Sequence, residues 1–216
     1  MSLNATDVSM TVHGQPMLAP VSAQVTAGEC LAVTGANGSG KTTLLRIISG
    51  LMRPSTGTVT LEGETVDERS AAGRSAIAAL IGSPALYPDM TMGEHLELTC
   101  ATWRIPTTQV APLVDDTLSR FELTTLRQRF ANELSSGQLQ LFALAQVFIR
   151  PFSVLILDEP EQRLDAHRRT IVSDAIQSAT HNGAAVVLAS HNAELIDAVA
   201  HRRLALRASG ETNAAA

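Results

Sequence analysis

Gly35-Ala36-Asn37-Gly38-Ser39-Gly40-Lys41-Thr42 is the stretch whose reading decides the fold. It satisfies G-x-x-x-x-G-K-[ST] at every fixed position. A short apolar strand, residues 30–34, runs into it. A helix over residues 41–49 leaves it, with Leu44, Leu45, Ile47 and Ile48 on its apolar face and Gly50 as its stop. Glycines let backbone N–H groups turn inward around phosphate oxygens. The helix start adds the positive end of its dipole. At average residue usage a chain of this length matches the pattern by chance roughly once in a hundred, before the flanking strand and helix are required. Gly35, Ala36, Asn37, Gly38, Ser39, Gly40, Lys41, Thr42 and Thr43 are therefore the candidate phosphate-binding residues. Lys41 is placed to reach the β- and γ-phosphates of a nucleotide, and the Thr42 hydroxyl to ligate Mg²⁺.

Further along, Val154-Leu155-Ile156-Leu157-Asp158-Glu159 is an apolar strand delivering two acids at its C-terminal end. Ligands bind at that edge of a parallel sheet. Asp158 is the candidate metal ligand beside Thr42, and Glu159 the group that polarises an attacking water. Strand and helix patterns alternate on either side: strands at 58–61, 77–81 and 184–190, helices at 166–178 and 193–200. Such alternation implies a parallel sheet covered on both faces. Ahead of it, residues 5–12 and 17–25 read as two strands joined by a turn at 13–16. Residues 91–150 are mostly helical in pattern, with breaks expected at Pro106 and Pro112.

A third motif, Leu134-Ser135-Ser136-Gly137-Gln138, precedes an apolar-faced helix. Alone it reads as a serine helix cap. Between the other two motifs it resembles the LSGGQ signature of the ATP-binding-cassette family, and that resemblance runs from about Val8 to Leu206. It implies an α/β fold: a P-loop NTPase core with a mainly parallel sheet, an N-terminal antiparallel β subdomain and an inserted helical subdomain. The whole chain, 1–216, is then one domain, with 1–83 and 151–216 as core and 84–150 as the helical part. ATP and Mg²⁺ are the implied cofactors. Ser135, Ser136, Gly137 and Gln138 are implied to face the γ-phosphate held by a second cassette subunit. His191, in Ala189-Ser190-His191-Asn192, matches the switch histidine, and Asp165 the loop that crosses the dimer interface. Lys41, Glu159 and His191 form the implied catalytic set. The implied partners are a second ATPase subunit and integral membrane permease subunits, which would hold the chain on the cytoplasmic face of the membrane. The stretch 86–91, with Glu94-His95-Leu96, is closer to exporter subunits than to importers.

Four positions depart from the family pattern. No adenine-stacking aromatic stands near Val12. The glutamine expected near Gly82 is missing, with Ser83 as its nearest oxygen. Ser136 replaces the first signature glycine, and Gln162 the usual serine before Asp165. Weak discrimination between ATP and GTP is expected from the first.

Composition narrows the alternatives. A net charge of −5 and 3% aromatics disfavour a nucleic-acid binder, which uses basic fields and stacking rings. Cys30 and Cys100 lie far apart with no metal-ligand spacing, as two reduced buried thiols would. No run approaches the ~20 apolar residues of a membrane span, no secretory signal is evident, and the tail 211–216 is expected to fray. Two other roles compete: a non-transport ATPase of the same family, and a degenerate nucleotide-binding subunit paired with an active one. Coiled-coil inserts and zinc cysteines, which mark the first, are lacking; the retained Glu159 weighs against the second.

Overall fold

The computed structural model describes residues 1–66, 71–84 and 86–207. β1 (Ser2–Val12) and β2 (Gln15–Thr26) form a hairpin closed by His13 and Gly14, at φ 50° and 78°. Two consecutive left-handed residues make a turn whose twist matches that of the strands. The turn thus takes two residues rather than four. Pro16 falls inside β2, paired with Thr11, and is tolerated because β2 is an edge strand. Then come β3 (Cys30–Thr34), α1 (Lys41–Ile48), β4 (Thr56–Leu61) and β5 (Glu64–Thr65). The antiparallel sheet has the order β2-β1-β4-β5.

The chain continues through α2 (Ala71–Ala76), β6 (Ile77–Leu80), α3 (Met92–Thr102), α4 (Thr107–Arg120), α5 (Ser136–Phe148), β7 (Val154–Asp158), α6 (Ala166–His181), β8 (Ala185–Ala189), α7 (Ala193–Val199) and β9 (Arg202–Ala205). The second sheet, β6-β7-β8-β3-β9, is parallel throughout. Its central strands are apolar without interruption because both faces are covered. Leu155 and Leu157 join Val186, Leu188, Cys30 and Ala32 in a core shared with α3 to α7. Val154 and Ile156 join Val187, Ala189, Leu31 and Val33 in a core shared with α1 and the antiparallel sheet. Cys30 and Cys100 are both free and buried, and burial pushes the Cys30 thiol up to about 12.

Between β6 and β7 the two prolines act differently from the expected breaks. Pro106 is the N-cap of α4, its φ of −54° already suited to a helix start. Pro112 lies inside α4 and does not end it. It sits on the exposed face, while Val114, Thr117 and Leu118 bury the opposite one. Packing of that face outweighs the missing backbone bond. The guanidinium of Arg150 lies 3.6 Å over the Trp103 ring, joining the loop after α3 to the end of α5. β9 and α2 were not expected. β9 is a short charged edge strand with Leu204 as its buried residue, too little pattern to read from sequence. The tail 211–216, and Ala85 within 81–88, lie outside the described residues.

All of this converges on one edge. β3, β7 and β8 are neighbours and end together, so Thr34, Asp158 and Ala189 deliver the phosphate loop, the two acids and His191 side by side.

Candidate nucleotide-binding site

The phosphate loop is built by three glycines at positive φ: Gly35 at 145°, Gly38 at 81° and Gly40 at 95°. Gly40 is the N-cap of α1 in a left-handed conformation, so the first N–H groups of that helix open onto the loop. Lys41 is buried. Its ammonium donates to the carbonyls of Gly35 at 2.8 Å and Ala36 at 3.2 Å. Ser39 Oγ is buried and has no hydrogen-bond partner. An orphaned buried hydroxyl in a glycine-built loop at a helix start fits an anionic oxygen. Ala36, Asn37 and Gly38 are exposed. A cleft of about 320 Å³ opens here, lined by Asn37, Gly38, Gly40, Lys41, Thr42 and Thr43, with Met17 and Glu159 at its sides.

Across the cleft, the Thr42 hydroxyl donates to Asp158 Oδ2 at 2.7 Å. Burial raises the Asp158 carboxyl above the ordinary range; the bond from Thr42 pulls it down, and Glu159 raises it again. Two hard oxygens held this close suit Mg²⁺, which takes one or two protein oxygens and completes its shell with phosphates and water. Glu159 has a φ of 47°, its N–H held by the Ala189 carbonyl at 2.8 Å. Its carboxylate lies 3.4 Å from His191 Nδ1 and accepts from Gln162 Nε2 at 2.8 Å. Lys41, Thr42, Asp158, Glu159 and His191 are thus gathered on one edge.

The third motif sits differently. Ser135 is the N-cap of α5; its hydroxyl accepts from the Gln138 N–H and the Gln138 side chain accepts from the Ser135 N–H. Ser136 is exposed and lines a second cleft, of about 360 Å³, together with Thr42, Asp158, Glu159, Gln162, Arg163 and Gln140. Ser135, Gly137 and Gln138 line neither cleft. Asp165 caps α6, accepting from the Arg168 N–H at 2.9 Å. Ser83 lines the second cleft; Val12 is 42% exposed and lines neither. Met17 and Gln140 belong to no motif, and only tertiary packing brings them here; Arg163 comes from the loop that ends at Asp165.

A glycine-built loop at a helix start, beside an Asp–Glu pair at the carboxyl edge of a parallel sheet, defines a phosphate-loop nucleotide-binding protein. Comparison with known proteins narrows this. The family model described as "ABC transporter" matches residues 18–162. The Cytochrome c biogenesis ATP-binding export protein CcmA of Xanthomonas campestris pv. campestris (strain 8004) is 30% identical over 208 residues, 96% of this chain and 94% of that protein. The Fe(3+) ions import ATP-binding protein FbpC of Escherichia coli (strain K12) is 35% identical over 150 residues, 69% of this chain; the match spans 43% of that protein. A solved structure, "Structure of ATP binding subunit of ABC transporter", superposes with a TM-score of 0.87 at 24% identity, over 99% of this chain and 90% of that one, which shows a common fold. The chain belongs to the ABC transporter family. It spans less than half the length of the FbpC relatives.

Proposed function

We propose that the chain binds ATP·Mg²⁺ on the loop 35–43 and hydrolyses it as one half of a two-copy site that drives a membrane permease. The observation that carries this reading is the 2.7 Å bond between Thr42 Oγ1 and Asp158 Oδ2, with Glu159 next in sequence and Lys41 poised over the loop. Lys41 would exchange the carbonyls of Gly35 and Ala36 for phosphate oxygens. Thr42 and Asp158 would hold Mg²⁺, which when bound neutralises charge on the β- and γ-phosphates. Glu159 polarises the attacking water, and His191 sits beside it to meet the γ-phosphate. The signature segment 135–138 serves the partner copy, where the N–H groups at the start of α5 would meet phosphate. Charge that develops in the transition state then meets Lys41 and that helix start.

The partners are a second cassette subunit and integral membrane subunits. Among the described residues no helix is long and apolar enough to cross a membrane, so attachment at the cytoplasmic face would come through the permease. Export is the favoured direction: CcmA, matched over 94% of its length, is named for export, and the stretch 86–91 points the same way. A degenerate subunit paired with an active one is a second reading, favoured by the exposed Val12 and by Gly82, which stand where an aromatic and a glutamine are expected.

The test is ATP turnover by the purified chain beside Lys41→Ala and Glu159→Gln. Hydrolysis by the wild type, lost in both variants, is the expected result. ATP binding without turnover would favour the paired, degenerate subunit. ATP and GTP are expected to bind within tenfold of each other, because no aromatic ring stands near Val12 to stack on the base. Titration calorimetry with both nucleotides measures it, and a larger preference for ATP would remove Val12 from the account.

A further inference from the structure

Residues 159–162, Glu-Pro-Glu-Gln, close into a turn in which the Gln162 N–H donates to the Glu159 carbonyl at 3.1 Å. The turn is anchored from three sides. Glu159 N–H is held by the last residue of β8, Ala189, at 2.8 Å. The Pro160 carbonyl accepts from Gln140 Nε2 of α5 at 3.1 Å. Glu161 is 5% exposed, and its carboxylate accepts from the Ser190 hydroxyl. Closing such a turn lays the side chain of its fourth residue beside that of its first. In this chain the pair is an amide and a carboxylate: Gln162 Nε2 donates to Glu159 Oε2 at 2.8 Å. The other oxygen, Oε1, faces His191 Nδ1 at 3.4 Å. Gln162 and Glu159 both line the cleft that holds Thr42 and Asp158.

A side chain of this length is needed. A serine at 162 ends two bonds earlier and an alanine three, so neither reaches Oε2 from an anchored turn. A carboxylate gripped at one oxygen keeps a fixed plane; one without that grip rotates about its terminal bond, a broad two-fold torsion. Orientation of this kind acts on the rate of the bound complex rather than on substrate binding.

We propose that Gln162 is a positioning residue for Glu159. Its amide pins Oε2, leaving Oε1, on the His191 side, as the oxygen presented to the attacking water. This rests on the hydrolytic role proposed for Glu159.

The test compares steady-state ATP turnover of the full chain with Gln162→Met, Gln162→Glu and Gln162→Lys. Methionine keeps the length without a donor, glutamate replaces the donor by a like charge, and lysine keeps a donor. kcat falls about tenfold in Gln162→Met, the scale of one hydrogen bond to a charged group. It falls at least as far in Gln162→Glu and stays within about threefold in Gln162→Lys, with KM for ATP changed less than about twofold throughout. An unchanged kcat in Gln162→Met, or equal losses in all three, overturns the proposal. A second readout does not depend on turnover. The side-chain amide resonances of Gln162, identified by their loss in Gln162→Met, shift when Glu159 is replaced by alanine. Stationary resonances overturn the contact. A wild type that does not hydrolyse ATP, with resonances that do shift, strikes at the role of Glu159 and leaves the contact standing.

Discussion

Gly35 and Gly40 have their Cβ positions blocked by backbone oxygens. A Cβ on Gly35 would lie 2.6 Å from the Leu206 carbonyl and 2.6 Å from Ser39 Oγ; one on Gly40 would lie 2.7 Å from the Met17 carbonyl. Gly38 has nothing within 4 Å and carries only its positive φ. Gly35→Ala is therefore expected to lower the melting temperature and abolish ATP binding. Gly38→Ala costs only the left-handed backbone, about 1–2 kcal/mol, and keeps measurable binding. Equal damage from both, by thermal melting and nucleotide titration, would deny the steric argument. At this scale the gathering of Gly35, Lys41, Thr42, Asp158 and Glu159 on one edge was legible, because each group lies in a local motif at the end of a strand. Gln162 was legible only as a departure. Its contact with Glu159 depends on a turn anchored by Ala189 and Ser190, almost thirty residues on, which no local pattern encodes.

Among the elements, α3 and α4 show where stability can be read and altered. Thr91 caps α3: its hydroxyl accepts from the Glu94 N–H, and the Glu94 carboxylate accepts in turn from the Thr91 N–H at 2.7 Å. Thr91→Ala is expected to lose about 1 kcal/mol in chemical denaturation. The bond from the Thr91 backbone, then that from its hydroxyl, hold the Glu94 carboxyl below its ordinary 4.5. A depressed carboxyl stabilises the fold above its unfolded value, and that contribution is lost as pH falls through the folded one. The difference in melting temperature between wild type and Glu94→Ala should thus be constant above about pH 5.5 and shrink steadily below 4.5; a gap that widens in acid would reverse the assignment. In α4, Pro112→Ala restores a backbone bond on an exposed face and should raise stability by roughly 1–3 kcal/mol. Apolar runs such as 154–157 announced their strands, since burial on both faces leaves no polar position. Pro112 misled because sequence shows the missing donor but not the core that Val114 and Leu118 reach.

For the molecule as a whole, one sheet edge collects three strand ends, while α5 starts at the exposed Ser135 and Ser136. Neither serine is buried within the chain, as a surface meant for a second copy requires. The parallel sheet followed from strand–helix alternation and the antiparallel one from the N-terminal strand pair and the family resemblance, but β9 did not, since 202–205 is charged and contributes a single buried residue. Closure of the two-copy site by ATP is read from sedimentation of Glu159→Gln with and without ATP·Mg²⁺. A monomer without nucleotide and a dimer with it are expected, and no dimer when Ser136→Arg fills the signature surface. A protein that binds ATP and stays monomeric in the Glu159→Gln background would contradict it.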